Sequence, residues 1–239
     1  MDKVKIAKEI IRSTFNICRN PLVCFSGGKD STFMLYLVKQ VVDEYGLKMP
    51  LVLVADPFPI EENVQFCLDV LKKLNVDKFI LMKDFVDEEG LKVYVEKTKD
   101  VKTCCLKNKV ELLNKIIKQF NIDCVFVAIR WDEHPARATE TFIRKVDEPP
   151  HLRIHPILHF TWHEVLMFYL EHKDLLNPLY LKGYTSLGCA PCTKPTIDRS
   201  FSSVEEYIQF VLTHELVERA GRAQDKERIM EQLRMLGYF

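Results

Sequence analysis

The sequence predicts an α/β fold: a doubly wound, mostly parallel five-stranded sheet flanked by helices, with a helical C-terminal extension. Three observations predict it. Short apolar runs alternate with segments of helical periodicity from residue 2 to residue 129. Polar clusters follow the first, second and fourth of those runs, at the carboxyl ends of strands where open α/β sheets bind ligands. A turn-rich stretch and two further helical patterns then close the chain. Residues 1–160 are expected to form the α/β domain and 161–239 the extension, packed as one unit.

Taken in order, Val4, Ile6, Ala7, Ile10, Ile11 and Phe15 recur at near-helical spacing within residues 2–18, and Pro21 ends that helix. LVCF is a short buried strand, and STFMLYLVKQVVDEY a helix stopping at Gly46. LVLVAD (51–56) is the second strand, closed by Pro57 and Pro59; IEENVQFCLDVLKKLN is helical, and KFILMK (78–83) the third strand. Residues 84–102 carry little pattern. TCCLKNKVELLNKIIKQFN is helical and CVFVAI (124–129) the fourth strand. After Pro149-Pro150, LRIHPIL is the fifth strand, and TWHEVLMFYLEH a helix capped by Thr161 with Glu164 in the capping-box position. SVEEYIQFVLTHELVERA and DKERIMEQLRML are the two terminal helices.

Lys plus Arg equals Asp plus Glu at 34 each, so bulk electrostatic capture of nucleic acid is not expected, although a local basic cleft survives that average. No apolar run reaches membrane-spanning length and no signal-like segment opens the chain, so the expectation is a cytoplasmic protein without membrane contact. Grouped cysteines in such a chain point to metal or redox chemistry. Cys18, Cys24, Cys67 and Cys124 stand alone in apolar runs and are expected to be small buried hydrophobes; Cys104-Cys105 and Cys189-x-x-Cys192 are paired.

CFSGGKDSTF (24–33) has the chemistry of a phosphate loop. Gly27 and Gly28 let backbone N–H groups turn toward an anion, the helix opening at Asp30-Ser31 offers its positive end, Lys29 adds charge, and Ser26 and Ser31 add hydroxyls. The pattern G-x-x-x-x-G-K-[ST] is absent, so a grip on a transferable γ-phosphate is not indicated. Asp56 follows strand two; Arg130, Asp132 and Arg137 follow strand four, where arginines either clamp an oxyanion bidentately or form a solvated, ion-paired loop. His151, His155, His159 and His163 recur every fourth residue, but Pro156 and the strand-like LRIHPIL rule out one helix carrying them, so they are expected to be structural or on the surface.

The SGGKDS loop resembles the PP-loop of ATP pyrophosphatases, the adenine-nucleotide α-hydrolase superfamily of HUP type. The resemblance implies that Ser26, Gly27, Gly28, Lys29, Asp30 and Ser31 hold the β,γ-pyrophosphate of MgATP while a nucleophile attacks the α-phosphorus. KTCCLKNKVELL and LGCAPCTKP resemble the cluster motifs of adenylyl-sulfate reductases in the phosphoadenylyl-sulfate reductase family, which implies that Cys104, Cys105, Cys189 and Cys192 ligate one [4Fe–4S] cluster; zinc is the alternative. AIRWDEHPARATE and the tail ERAGRAQDKERIMEQLRMLGYF, down to its Gly-Tyr-Phe ending, resemble the small subunit of two-subunit ATP sulfurylase. Arg219 and Arg222 (R-x-G-R) also match a segment shared with the reductases, where arginines meet the sulfonucleotide. The resemblances give Lys29, Asp30, Arg130 and Arg137 catalytic roles and Arg219 and Arg222 nucleotide-binding ones; Asp56 joins the latter by its place after strand two.

The reductases also use a nucleophilic cysteine near the C-terminus, and no cysteine follows Cys192 in this sequence. Three readings stay open. The first is an Fe–S ATP pyrophosphatase or adenylyltransferase of sulfur metabolism, activating sulfate or an oxygen about to be replaced by sulfur, with DNA as one downstream substrate. The second is a sulfonucleotide reductase acting on adenylyl sulfate with a partner's thiol. The third is a non-catalytic nucleotide-binding Fe–S subunit. A protein partner or a homo-oligomer is expected in each.

Overall fold

The computed structural model describes residues 2–95, 100–235 and 237. Six strands form one sheet: β1 (Pro21–Phe25), β2 (Leu51–Val54), β3 (Phe79–Leu81), β4 (Cys124–Phe126), β5 (Ile143–Val146) and β6 (His151–Ile154), in the order β3-β2-β1-β4-β6-β5. All neighbouring pairs are parallel except β5 with β6. The mostly parallel sheet is as expected, with one strand more. FIRKV was not recognised because only Ile143 and Val146 in β5 are apolar, and its side chains alternate between exposed and half-buried at the sheet edge.

The winding follows from the two-residue period of a strand. Val23, Phe25, Val52, Val54, Cys124 and Phe126 face one core, shared with the helices α1 (Lys3–Ile17), α2 (Lys29–Tyr45), α3 (Glu61–Lys73) and α7 (Trp162–Glu171). Leu22, Cys24, Leu53 and Val125 face the other, covered by Leu112, Leu113, Ile116 and Ile117. A single helical run carries those four: α5 (Val101–Cys105), a π-turn (Leu106–Glu111) and α6 (Leu112–Gln119). The unpatterned stretch before it contains α4 (Glu88–Val95).

The first core does not stop at residue 160: Trp162, Tyr169, Tyr180 and Tyr207 belong to it together with the β1 and β2 side chains. The capping box of α7 is present, with Thr161 accepting from the Glu164 backbone and Glu164 accepting from the Thr161 backbone. Beyond α7 lie α8 (Pro178–Leu181), α9 (Val204–Thr213), α10 (Gln224–Arg228) and α11 (Met230–Met235); Tyr238 and Phe239 of the Gly-Tyr-Phe ending lie outside the described residues. Cys18 and Cys124 are not separate apolar fillers. They are joined as a disulfide between the end of α1 and the start of β4, a pairing across 106 residues that no local pattern reveals. No helix among the described residues is long and apolar enough to cross a membrane.

Candidate nucleotide and cysteine sites

β1 ends at Phe25 and α2 begins at Lys29, so Ser26, Gly27 and Gly28 turn at the carboxyl end of an interior strand. Gly27 has φ +71°, and a Cβ there would lie 2.2 Å from Asn63 Oδ1 and 2.7 Å from Cys67 Sγ, so only glycine fits. Gly28 is the N-cap of α2; its carbonyl accepts from Ser31 Oγ and Thr32 Oγ1, each at 3.0 Å. Ser31 Oγ accepts from Ser26 N at 3.1 Å and lies 3.0 Å from Ser26 Oγ.

Four side chains that local sequence pattern does not single out hold this loop from behind. Asn63 Nδ2 donates to the Ser26 carbonyl at 3.0 Å. Asn177 Nδ2 donates to the Gly27 carbonyl at 3.1 Å and to Asn63 Oδ1 at 2.7 Å. Tyr180 Oη accepts from Lys29 N at 2.9 Å, and Tyr169 Oη donates to the Lys29 carbonyl. With the carbonyls of residues 26–29 and the N–H groups of Ser26 and Lys29 satisfied by these partners, the loop is held in one shape before any ligand arrives.

Beneath the loop sits a ring of alternating charge. Lys29 Nζ meets Asp30 Oδ2 at 2.8 Å and also Glu218; Arg130 meets Asp30, Glu218 at 2.5 Å and Asp132 at 3.0 Å. Burial alone would lower the pKa of the Lys29 ammonium, but Asp30 and Glu218 outweigh it and hold the group protonated, above its ordinary range. Arg130 is 0 % exposed and does not line the pocket that opens at the loop. Its guanidinium is engaged by three carboxylates, those of Asp30, Asp132 and Glu218.

The remaining arginines do reach the pocket. Arg137, on the short helical turn Pro135–Arg137, pairs with Glu133, which also takes Arg219 at 2.6 Å. Burial would raise the Glu133 carboxyl, but Arg137 and Arg219, with help from Arg130 and Lys29, hold it well below the usual carboxylate range. Arg222 donates to the Leu187 carbonyl and lies flat against Gly188, where a Cβ would come within 2.3 Å of its guanidinium. The tail is stitched to the C-x-x-C loop by Lys194 N to the Gly221 carbonyl and Ala223 N to the Cys192 carbonyl, each at 3.0 Å. Residues thirty positions apart in the sequence thus enter one wall.

One pocket gathers Ser26, Gly28, Lys29, Asp30, Ser31 and Asp56 with Arg137, Arg219 and Arg222; Gly27 lies outside the lining, packed on Asn63. Its charged lining comprises five cations (Lys29, Lys109, Arg137, Arg219, Arg222) and three carboxylates (Asp30, Asp56, Glu133), with Glu218 and Glu227 outside the lining paired to Lys29 and Arg219, so an anion would compete with carboxylates for these cations. Cys24 also lines it, but burial pushes that thiol up to about 12, so it is a poor nucleophile.

A second pocket adjoins the first, and Lys109 lines both. All four paired cysteines, Cys104, Cys105, Cys189 and Cys192, line it, so the adjacent pair faces the C-x-x-C loop despite the divergence expected of neighbouring side chains. The walls are Pro57, Val101 and Pro191 with Phe58 and Tyr94, whose rings stack 3.8 Å apart. Ala190 N donates to the Phe58 carbonyl at 2.9 Å, and the Asp56 carboxylate reaches Cys189, tying this pocket to the first. Among the described residues, no three of the four sulfurs gather within 4.8 Å of one another, whereas a single tetrahedral zinc would draw thiolates to about 3.8 Å. Four cysteines with apolar walls and the cations Lys109 and Lys226 at hand are a donor set that suits an Fe–S cluster or zinc. The histidines form no site: His151, His155 and His159 each bond a different backbone carbonyl.

The family described as the phosphoadenosine phosphosulfate reductase domain matches residues 20–195. The adenosine 5'-phosphosulfate reductase of Geobacillus thermodenitrificans is 30% identical over 100 residues, 42% of each chain. Adenosine 5'-phosphosulfate reductase 1 of Bacillus subtilis is 28% identical over 116 residues, 48% of each. An uncharacterized protein of Methanocaldococcus jannaschii is 30% identical over 191 residues, 76% of this chain and 38% of that one. The matched regions span less than half the length of these relatives. Among solved structures, yeast FAD synthetase in complex with FAD superposes with a TM-score of 0.66 at 16% identity, covering 92% of this chain and 88% of that one. Phosphoadenylyl-sulfate reductase of Candida auris gives 0.60 at 16% identity over 79% and 90%. FMN adenylyltransferase of Candida glabrata with FAD and inorganic pyrophosphate gives 0.63 at 19% identity over 96% and 81%. At these identities the structural likeness is one of fold.

Proposed function

Because the chain belongs to the phosphoadenosine phosphosulfate reductase domain family of sulfur metabolism, we propose that it is an ATP pyrophosphatase or adenylyltransferase that activates an acceptor oxygen, on sulfate or on a molecule destined to receive sulfur. The observation that carries the reading is the pocket itself: a preformed loop without the γ-phosphate pattern, faced by Arg137, Arg219, Arg222 and Lys109. MgATP enters as substrate with its β,γ-pyrophosphate against Ser26–Ser31. Backbone N–H groups of the loop, the α2 N-terminus and Lys29 hold that anion. The acceptor oxygen forms a bond to the α-phosphorus, the bond from the α-phosphorus to the β-bridging oxygen breaks, and pyrophosphate leaves with the electron pair. Arg137, Arg219 and Arg222 neutralise the charge that collects on the leaving group and acceptor. Arg130 acts at one remove, positioning Asp30 and Glu218.

Cys104, Cys105, Cys189 and Cys192 would hold a [4Fe–4S] cluster, which supplies a structural clamp and local charge when bound. The buried, protonated Cys24 is the only cysteine lining the nucleotide pocket among the described residues, which favours nucleotide cleavage over thiol attack from this chain. The names of the relatives favour a second reading, a sulfonucleotide reductase that takes its thiol from another chain.

A pyrophosphate-release screen across candidate acceptors, with and without sulfate, separates the two. Acceptor-dependent release from ATP is the expected result. Tight adenylyl-sulfate binding with no ATP turnover would replace the first reading with the second.

A further inference from the structure

Glu218 lies in the tail, 189 residues from Lys29, yet its carboxylate bridges the Lys29 ammonium and the Arg130 guanidinium with only 8 % of the residue exposed. Lys29 lines the nucleotide pocket and Glu218 does not, so this contact draws the ammonium away from the space a phosphate would enter. Asp30, the other partner of Lys29, is its own chain neighbour and moves with the loop.

We propose that Glu218 is a positioning residue that parks Lys29 in the unliganded protein, and that an incoming pyrophosphate group displaces it from the ammonium. The inference rests on the nucleotide reading above and adds to it the competitor that a phosphate has to beat. The exchange leaves no charge stranded. When Lys29 turns to the ligand, Glu218 keeps Arg130 at 2.5 Å, and Arg130 keeps Asp30 and Asp132. A buried carboxylate that lost its only partner would make such an exchange prohibitive; here the second cation removes that penalty. The arrangement selects for highly charged anions, since the ligand must replace a full carboxylate at Lys29.

The test is calorimetric titration of Glu218→Gln and Glu218→Asp with magnesium pyrophosphate, beside wild type. Gln keeps the shape and drops the charge. It should bind about tenfold more tightly than wild type, equivalent to about 1.4 kcal/mol. Asp keeps the charge one methylene short of its partners and should give a smaller gain, which decides the matter if the Gln variant fails to fold. A residue that merely braced the tail would lower affinity when altered, so variants binding no better than wild type overturn the inference while leaving the proposed function standing. A wild-type chain that binds neither pyrophosphate nor ATP overturns both.

Discussion

A single methyl group at Gly188 should dislodge Arg222 from the nucleotide pocket. The backbone at Gly188 is not left-handed, so Gly188→Ala adds volume without backbone strain. The new Cβ would lie 2.3, 2.4 and 2.5 Å from Nη2, Nη1 and Cζ of Arg222, where ordinary contact begins near 3.4 Å. The guanidinium, as the far end of a flexible side chain, has to retreat by about 1 Å, and the fold survives. A charge-assisted hydrogen bond contributes roughly 1.5–3 kcal/mol. Weakening the one from Arg222 to the ligand by half costs about 0.8–1.5 kcal/mol, a loss of nucleotide affinity of roughly four- to twelvefold. The assay is equilibrium titration of ATP against wild type, Gly188→Ala, Arg222→Ala and the double variant. If the methyl group acts only through Arg222, the alanine at 188 adds less than about twofold once Arg222 is gone. Fully additive losses, or an unaltered affinity in Gly188→Ala, would refute the reasoning.

Lys29→Ala should abolish turnover while leaving the fold intact, since Arg130 still pairs Asp30 and Glu218; unchanged turnover would remove the loop from the mechanism. Gly27→Ala combines left-handed strain of about 1–2 kcal/mol with a clash on Asn63, and should lower the melting temperature by roughly 6–12 °C. His155 is held neutral by burial, its pKa pushed down to about 4, with Nδ1–H donating to the Thr141 carbonyl at 2.7 Å. The unfolded chain therefore takes up a proton between pH 6.5 and 4 that the folded chain refuses. Stability should fall as pH drops through that window, by about 3 kcal/mol in all, and His155→Asn should remove that share of the slope in urea titrations. Anaerobically purified protein should be brown and carry iron and acid-labile sulfide, with Cys189→Ser losing most of both; colourless protein holding zinc would contradict the cluster.

Much of this was legible because it is local. A run of buried β-branched and aliphatic residues followed by SGGKDS declares a strand, a turn and a helix within ten positions, and the C-x-x-C pair and R-x-G-R segment are equally compact. The partners of those motifs were not legible, because tertiary packing brings them in. Asn63, Asn177, Tyr169 and Tyr180 look like ordinary helix or turn residues until the fold sets them against the loop. Glu218 differs in no local way from Glu215, yet only one of them meets Lys29. Arg130 shows the converse: its motif was legible, but not that the acids at positions 30, 132 and 218 would hold it in the interior. The strand β5 escaped notice because an edge strand with charged residues lacks the continuous apolar run that marks β1, β2 and β4.

The account stands or falls on which phosphorus is attacked. ATP labelled separately at the α- and γ-positions, incubated with the protein, Mg2+ and an acceptor, and resolved by chromatography answers that directly. Cleavage at the α-phosphorus puts the γ-label in pyrophosphate and the α-label in AMP or an adenylylated acceptor. A γ-label released as orthophosphate, with the α-label left in ADP, would contradict the account.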